Sequence, residues 1–440
     1  MKSVMEHTFS RAPTADIPRS SFNRSHGLKT TFNAGDLIPV FIDEALPGDT
    51  LSLNPTLFAR LNTPLYPLMD NMFLDVHFFS VPLRLDWDNF RKFMGEQADP
   101  GDSTDYTIPK LISNSFDEGS LGDYFGLPTK KGGMTPSALP FRAYNRIYNE
   151  WYRDQNLVDA AFTKTADSDD GAVNYEIRKR GKRHDYFTSS LPWLQKGDAI
   201  DIPLGTSAPV KVVGGPDDGI GISTAYGDRV LYENDGANEI RYDLTTTPDT
   251  VLTADLTNAT AATVNELRRA FQIQKLLERD ARSGTRYAEI VKAHFGVDFL
   301  DVTYRPEFLG GTSSPVNFES VPMTGNSQGT QATGDLAAAG TVVCQGGGFT
   351  KSFTEHCIVM GIASVRADLT YQQGMDRMWS RETRYDFYFP ALAHIGEQAV
   401  LNKEIYYNND AADDEVFGYQ ERWAEYRYKP KSIVTGKQKS

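Results

Sequence analysis

The 440 residues, 40% hydrophobic and 12% aromatic, suffice for two ordinary domains or one large β domain with long insertions, and they exclude a disordered chain. A formal net charge of −13 argues against a protein that holds nucleic acid by its overall charge, since phosphate contacts need Lys and Arg. Two cysteines, Cys344 and Cys357, exclude a disulfide framework and read as small buried hydrophobes in a chain folded in a reducing cytoplasm.

Residues 1–28 are polar, broken by Pro13, Pro18 and Gly27, and predict an N-terminal arm or a loose terminus, with a body at 29–440. No apolar run opens the chain, so no secretory signal is expected. The run Cys357 to Val365 ends at Arg366 and is too short to span a bilayer, so no membrane insertion is expected. Leu37 to Ile42 predicts a strand leading to a turn at Pro47-Gly48-Asp49. Met72 to Val81 predicts another, with Leu74, Val76 and Phe78 on one face and Phe73, Asp75, His77 and Phe79 on the other. Asp86 is expected to cap a short helix. A second helix starts near Pro140, its stripe of Phe141, Tyr144, Tyr148, Trp151 and Tyr152 reading as core packing.

Residues 198–262 are rich in Gly, Asp and Thr and predict an inserted β-rich loop with pieces such as Val210 to Val213 and Arg229 to Tyr232. Asp198 to Ala262 holds 11 acidic and 3 basic residues, a net of −8, which leaves the rest of the chain nearly balanced. Thr263 and Glu266 form a capping box for the longest helix. That helix is expected to bury Val264, Leu267, Ala270, Phe271 and Leu277 and expose Arg268, Gln272, Lys275 and Arg279. A shorter helix follows Gly284 as far as His294, and 310–350 reads as loop. Strand-like runs return at Ile358 to Tyr371 and Glu421 to Tyr428. Strands at both ends with helices between them predict a mainly β sandwich, and topologies other than a jelly roll fit the same pattern.

Residues that carry chemistry are sparse. Ser327 matches a nucleophile-elbow pattern at 325–329, but a Gly/Ala/Thr loop follows where the motif needs a helix. The seven histidines are too far apart for a local zinc motif, and the acidic clusters at 99–105, 167–170 and 410–415 lack the EF-hand order and read as solvated turns. No cofactor and no metal site is expected. The densest charge run holds Arg178, Lys179, Arg180, Lys182 and Arg183, with Tyr175, Tyr186 and Phe187 nearby. It fits contact with a phosphate backbone and unpaired bases, and equally a solvated loop or a contact to an acidic neighbouring subunit.

Longer blocks are more specific than these motifs. TPLYPLMDNMFLDVHFFSVPLRL (63–85), WDNFRKFMGEQ (87–97), LPFRAYNRIYNEWYRDQNL (139–157) and YFTSSLPWLQKG (186–197) resemble the major capsid protein family of the Microviridae, gokushovirus-like members in particular. The resemblance runs on through 267–297 and 305–311 and is strongest at 365–402 and at FGYQERWAEYRYKP (417–430). It implies a single eight-stranded antiparallel jelly roll of viral capsid type, with large loop insertions containing several α-helices. It implies about 60 copies closing into a T = 1 icosahedral shell around a circular single-stranded DNA genome, without enzymatic activity. The implied partners are an internal scaffolding protein, a pilot protein, a small basic DNA-binding protein and a host surface receptor reached through 198–262. The implied location is the virion, assembled in the bacterial cytoplasm. The insertion is short for that family, which implies a threefold protrusion that is reduced or absent, and leaves open attachment elsewhere or through a separate spike protein. Arg381, Arg384, Tyr385, Phe387, Tyr388 and Trp423 are the candidates for subunit contacts, with core packing as the competing account. A soluble β-sandwich carbohydrate-binding protein or glycosidase is the alternative reading, and a DNA-binding module without a shell is the third.

Overall fold

The computed structural model describes residues 18–62, 70–113, 115–198, 200, 264–298, 300–322, 336–393, 396–427 and 429, with the backbone of five strands between 210 and 254. The chain is mainly β, with antiparallel sheets and some helices. It divides into two compact units: Met1–Trp151 with Ala161–Arg180 and Arg305–Arg366, and Tyr152–Ala160 with Gly181–Tyr304 and Ala367–Ser440.

The first unit is built from β1 (Ile38–Ala45), β2 (Thr50–Leu53), β3 (Thr56–Arg60), β4 (Met72–Pro82), β5 (Glu307–Pro315), β6 (Asn317–Pro322), β7 (Leu336–Gln345), β8 (Phe349–Ser352) and β9 (Cys357–Ala367). One sheet has the order β1-β9-β4-β5, and the strands of the other layer pair as β6-β7-β3 and β8-β2. The antiparallel pairs nest: β1 with β9, β2 with β8, β3 with β7, β4 with β5. The period-two pattern of β4 decides its orientation. Val76 and Phe78 join Val359 of β9 against Phe349, Leu51 and Leu53 of the second layer. Leu74 meets Val342, Cys344 and Leu57. Burying Phe78, 2% exposed, contributes about 2–3 kcal/mol. Gly361 of β9 lies where a Cβ would come within 2.7 Å of the Phe78 ring, so glycine is what lets that ring fill the space between the sheets. Both cysteines are free and buried, and burial pushes the Cys357 thiol up to about 12.

The opposite face of β4 packs on a helix. In α1 (Leu139–Ile147), Pro140 occupies the first turn and nearly every side chain is buried; a π turn, Tyr148–Tyr152, extends it. Trp151 stacks on Phe79 and Phe308, and its indole N–H donates to the Pro306 carbonyl at 2.9 Å. Tyr144 donates to the Leu37 carbonyl at 2.8 Å and so ties α1 to the start of β1. On the same face of β4, burial raises the Asp75 carboxyl, but Ser313, Arg366 and Arg180 together hold it below its ordinary range.

His77 sits beside this cluster, against Phe79 and Phe308. Burial, then the charge of Arg180, lowers its pKa from 6.5 to about 4. Between those values the unfolded chain holds a proton that the folded chain does not. Stability is therefore complete above pH 6.5 and falls as pH drops toward 4, by at most about 1.4 kcal/mol per unit. His77→Gln is expected to flatten that part of the curve in urea titrations at successive pH. The same slope in the variant would assign the effect to another group.

The second unit holds α2 (Val264–Ser283), α3 (Tyr287–Phe295) and the hairpin of β10 (Glu397–Leu401) with β11 (Val416–Glu421). Tyr186, Phe187, Val400 and Ala424 form its buried cluster, flanked by Tyr371 and Ile405. Strands recur between residues 210 and 254. Val210–Val213 pairs with Val251–Ala254, and Ile220–Thr224, Gly227–Glu233 and Ile240–Asp243 form a meander.

Several sequence expectations need correction. Asp86 does not cap a helix: it closes the short turn Leu83–Asp86, buried against Arg146 at 2.6 Å, and Asn89 precedes the next turn, Phe90–Phe93. The expected loop at 310–350 contains β5, β6 and β7. Gly311 is a packing requirement inside β5, because a Cβ there would meet His77 at 2.6 Å and the Val76 carbonyl at 2.7 Å. Among the described residues the strand ends at Glu421, the last residue of β11, and does not run on toward 428. After β11 the chain turns at Trp423, whose φ is +66°, into the helical turn Ala424–Arg427. In α2, Val264 and Phe271 are exposed and only Ala281 is buried. Asp170 belongs to no solvated turn; its side chain is fully buried. Thr263 and Ser327 lie outside the described residues.

Candidate subunit interface

The block 377–393 forms an exposed aromatic ridge on the second unit, made of three short 3-10 turns, Arg377–Trp379, Arg384–Asp386 and Pro390–Leu392. Turns of this length have no internal stability, so side chains fix them. Asp386 accepts the backbone N–H groups of Thr383 (2.7 Å) and Glu382 (3.1 Å) and the Thr383 hydroxyl (2.9 Å). These bonds, those of Thr383 first, hold its carboxyl below the ordinary value. Arg377 donates to the Ala399 carbonyl at 2.7 Å and anchors the first turn to β10. Arg381 pairs with Glu425 at 3.4 Å and stacks over Tyr426 (4.5 Å) and Phe387 (5.2 Å). Glu425 in turn accepts from Gln398 at 2.9 Å.

This scaffold holds large rings in water. Trp379 is 70% exposed, Tyr385 61%, Phe387 50% and Tyr388 48%. Arg384 lies over Tyr385 and Phe389 at 5.5 and 5.8 Å. Trp423 is different: it is 6% exposed, lies edge-on beneath Tyr388 at 5.8 Å and donates to the Leu392 carbonyl at 3.2 Å. Rigid aromatic rings and stacked arginines at a surface lose little side-chain entropy when a partner covers them, which is the chemistry of interface anchors. Trp379 was not singled out in the sequence. Its signal was its type and place, an indole two residues before Arg381, the first of the named candidates in that block.

The basic run is handled residue by residue. In the first unit, Arg178 lies over the Tyr148 ring at 5.8 Å, Lys179 pairs with Asp36, and Arg180 donates to Asp75 and to the Ser364 hydroxyl. Asp75 is thus the counterion of Arg180 and of Arg366. In the second unit Lys182 is exposed, and Arg183, 63% exposed, lies 3.5 Å from Asp368. Of the five cations, Lys179, Lys182 and Arg183 are exposed, and Arg178 and Arg180 are partly covered. No helix among the described residues is long and apolar enough to cross a membrane.

Residues 10–440 match the family described as capsid protein (F protein). The chain is 47% identical to capsid protein VP1 of Bdellovibrio phage phiMH2K, over 97% of this chain and 84% of that protein. It is 40% identical to capsid protein VP1 of Chlamydia phage 1, over 99% and 87%. With capsid protein VP1 of Spiroplasma virus 4 the figures are 34%, over 97% and 84%. The chain therefore belongs to the phage capsid protein (F protein) family, as a major capsid protein of the gokushovirus type within the Microviridae.

Proposed function

We propose that this chain builds a T = 1 icosahedral shell of about 60 copies around a circular single-stranded DNA genome and catalyses no reaction. The observation that carries the reading is the aromatic ridge, a set of braced rings that the folded subunit leaves in water. Arg381, Arg384, Tyr385, Phe387 and Tyr388 make the subunit contact, and Trp423 supports it from beneath. The four nested strand pairs of the first unit are those of one long antiparallel ribbon wound on itself, which supports an eight-stranded jelly roll. Residues 29–440 then act as one capsid domain behind the arm 1–28.

Lys182 and Arg183, with Lys179 and the partly covered Arg178 and Arg180, contact the genome through phosphates alone. At a net charge of −13 this chain needs a small basic DNA-binding protein to neutralise the rest. An internal scaffolding protein and a pilot protein complete the assembly, which takes place in the host cytoplasm, and the acidic insertion 198–262 faces the host receptor.

Electron microscopy of the chain co-expressed with its scaffolding partner is expected to show uniform hollow particles, with reconstruction giving 60 subunits (T = 1). A monomer or small oligomer that binds or hydrolyses a sugar would replace this reading with a β-sandwich carbohydrate protein. Tight, salt-dependent DNA binding by free subunits that form no particle would replace it with a DNA-binding module.

A further inference from the structure

We infer that the N-terminal half of α2, Val264 to Leu276, is a second intersubunit element, docked against another copy of this chain in the shell. The inference rests on the shell-building role and adds a surface apart from the aromatic ridge in sequence. Of the helix's twenty residues one, Ala281, is buried. At its C-terminal end the helix is anchored to other elements of its unit. Arg282 donates to Glu397, Asp280 accepts from the His294 ring nitrogen at 2.7 Å, and the Leu277 carbonyl receives the Lys196 N–H at 3.4 Å. From Val264 to Ile273 no side chain is buried, and Val264 and Phe271 are 71% and 63% exposed. A helical segment of ten to twelve residues is marginal in water by itself. A half-helix that places so little in its own core is stabilised by another surface.

The sequence of that half describes what covers it. Val264, Leu267 and Phe271 recur at helical spacing along one flank, and Arg268, Lys275 and Arg279 run beside them. Among the described residues these three cations make no ion pair within their own subunit. An apolar flank beside a cationic stripe matches a protein surface that is apolar and acidic; bare phosphate leaves the apolar flank in water. Another copy meets the requirement by charge: the chain carries −13 overall and −8 between Asp198 and Ala262.

Hydrogen exchange on empty shells and on dissociated subunits tests this. The amides of 264–276 are expected to exchange about 100-fold more slowly in shells. Phe271→Ser and Arg268→Glu, both at exposed positions, are each expected to cut particle yield about tenfold while the subunit's Tm stays unchanged. Shells that form with these amides as fast as in free subunits, or undiminished yield from both variants, overturn the inference and leave the shell-building role standing. Protection seen only in DNA-filled particles overturns it in favour of genome phosphate. Failure of the unaltered chain to form particles takes both readings down together.

Discussion

Asp170→Ala is expected to destabilise the folded subunit by about 4 kcal/mol, read as a shift of the urea midpoint. Asp170 and Arg142 form a buried pair, with side chains 0% and 2% exposed, joined by two bonds of 2.7 and 3.0 Å. The same carboxylate accepts from Tyr175 at 2.7 Å and pairs with Lys164 at 2.9 Å. Burial raises the Asp170 pKa, but these donors, Arg142 first, hold it below the ordinary 3.8. Arg142 also donates to the carbonyls of Asp86 and Ser168, so one guanidinium pins α1 to two separate loops. Alanine at 170 leaves that guanidinium buried with neutral hydrogen-bond partners, two carbonyls and the Tyr175 side chain, and the uncompensated charge dominates the cost. Two further outcomes follow from the same physics. The double variant Arg142→Met with Asp170→Leu is expected to recover most of the loss, because no charge is left buried. The contribution of Asp170 in the unaltered chain is complete above pH 3.8 and is lost as pH falls through its lowered pKa, a loss the alanine variant lacks. A midpoint shift worth under about 1 kcal/mol, or a double variant no better than the single, would show that the pair is not what holds these loops.

Nothing local in the sequence announces that pair, because its members lie 28 residues apart and one of them sits in a run of four that reads as a solvated acidic turn. What was legible was periodicity. β4 was placed with the correct faces because Leu74, Val76 and Phe78 alternate with Asp75 and His77, and α1 because Pro140 opens an aromatic stripe at helical spacing. The strands at 307–322 were lost because Gly310 and Gly311 look like loop residues, while their reason for being glycine, the approach of β4 and of the 347–348 backbone, lies far off in the chain. In α2 the period was sound and the conclusion drawn from it was not. Periodicity shows which flank is apolar, not which molecule covers it, and Val264 and Phe271 stay in water within their own subunit. In the basic run the charge was legible and the partners were not, because Arg180 answers a carboxylate 105 residues earlier. Composition alone did not separate Tyr385 from Trp423 either. Both are aromatic residues in matching blocks, yet one stands 61% exposed and the other 6%.

That last contrast sets up the largest assembly effect. A chain carrying Tyr385→Ser and Phe387→Ser is expected to fold with an unchanged Tm yet to need about 30-fold more protein before shells appear, measured by light scattering against concentration. The rings are 61% and 50% exposed in the subunit, so deleting them removes little internal burial. In the shell they are covered, and losing two such anchors removes about 2 kcal/mol per subunit, which is about a 30-fold rise in the critical concentration. Every added subunit must make the same contact, so the penalty is not diluted as the shell grows. Trp423→Ala provides the control. Its ring is buried under Tyr388 and bonded to the Leu392 carbonyl, so its loss lowers Tm and assembly together. If the double variant closes shells at the concentration of the unaltered chain, the ridge lies outside the contact between subunits, and its exposed rings must serve some other partner.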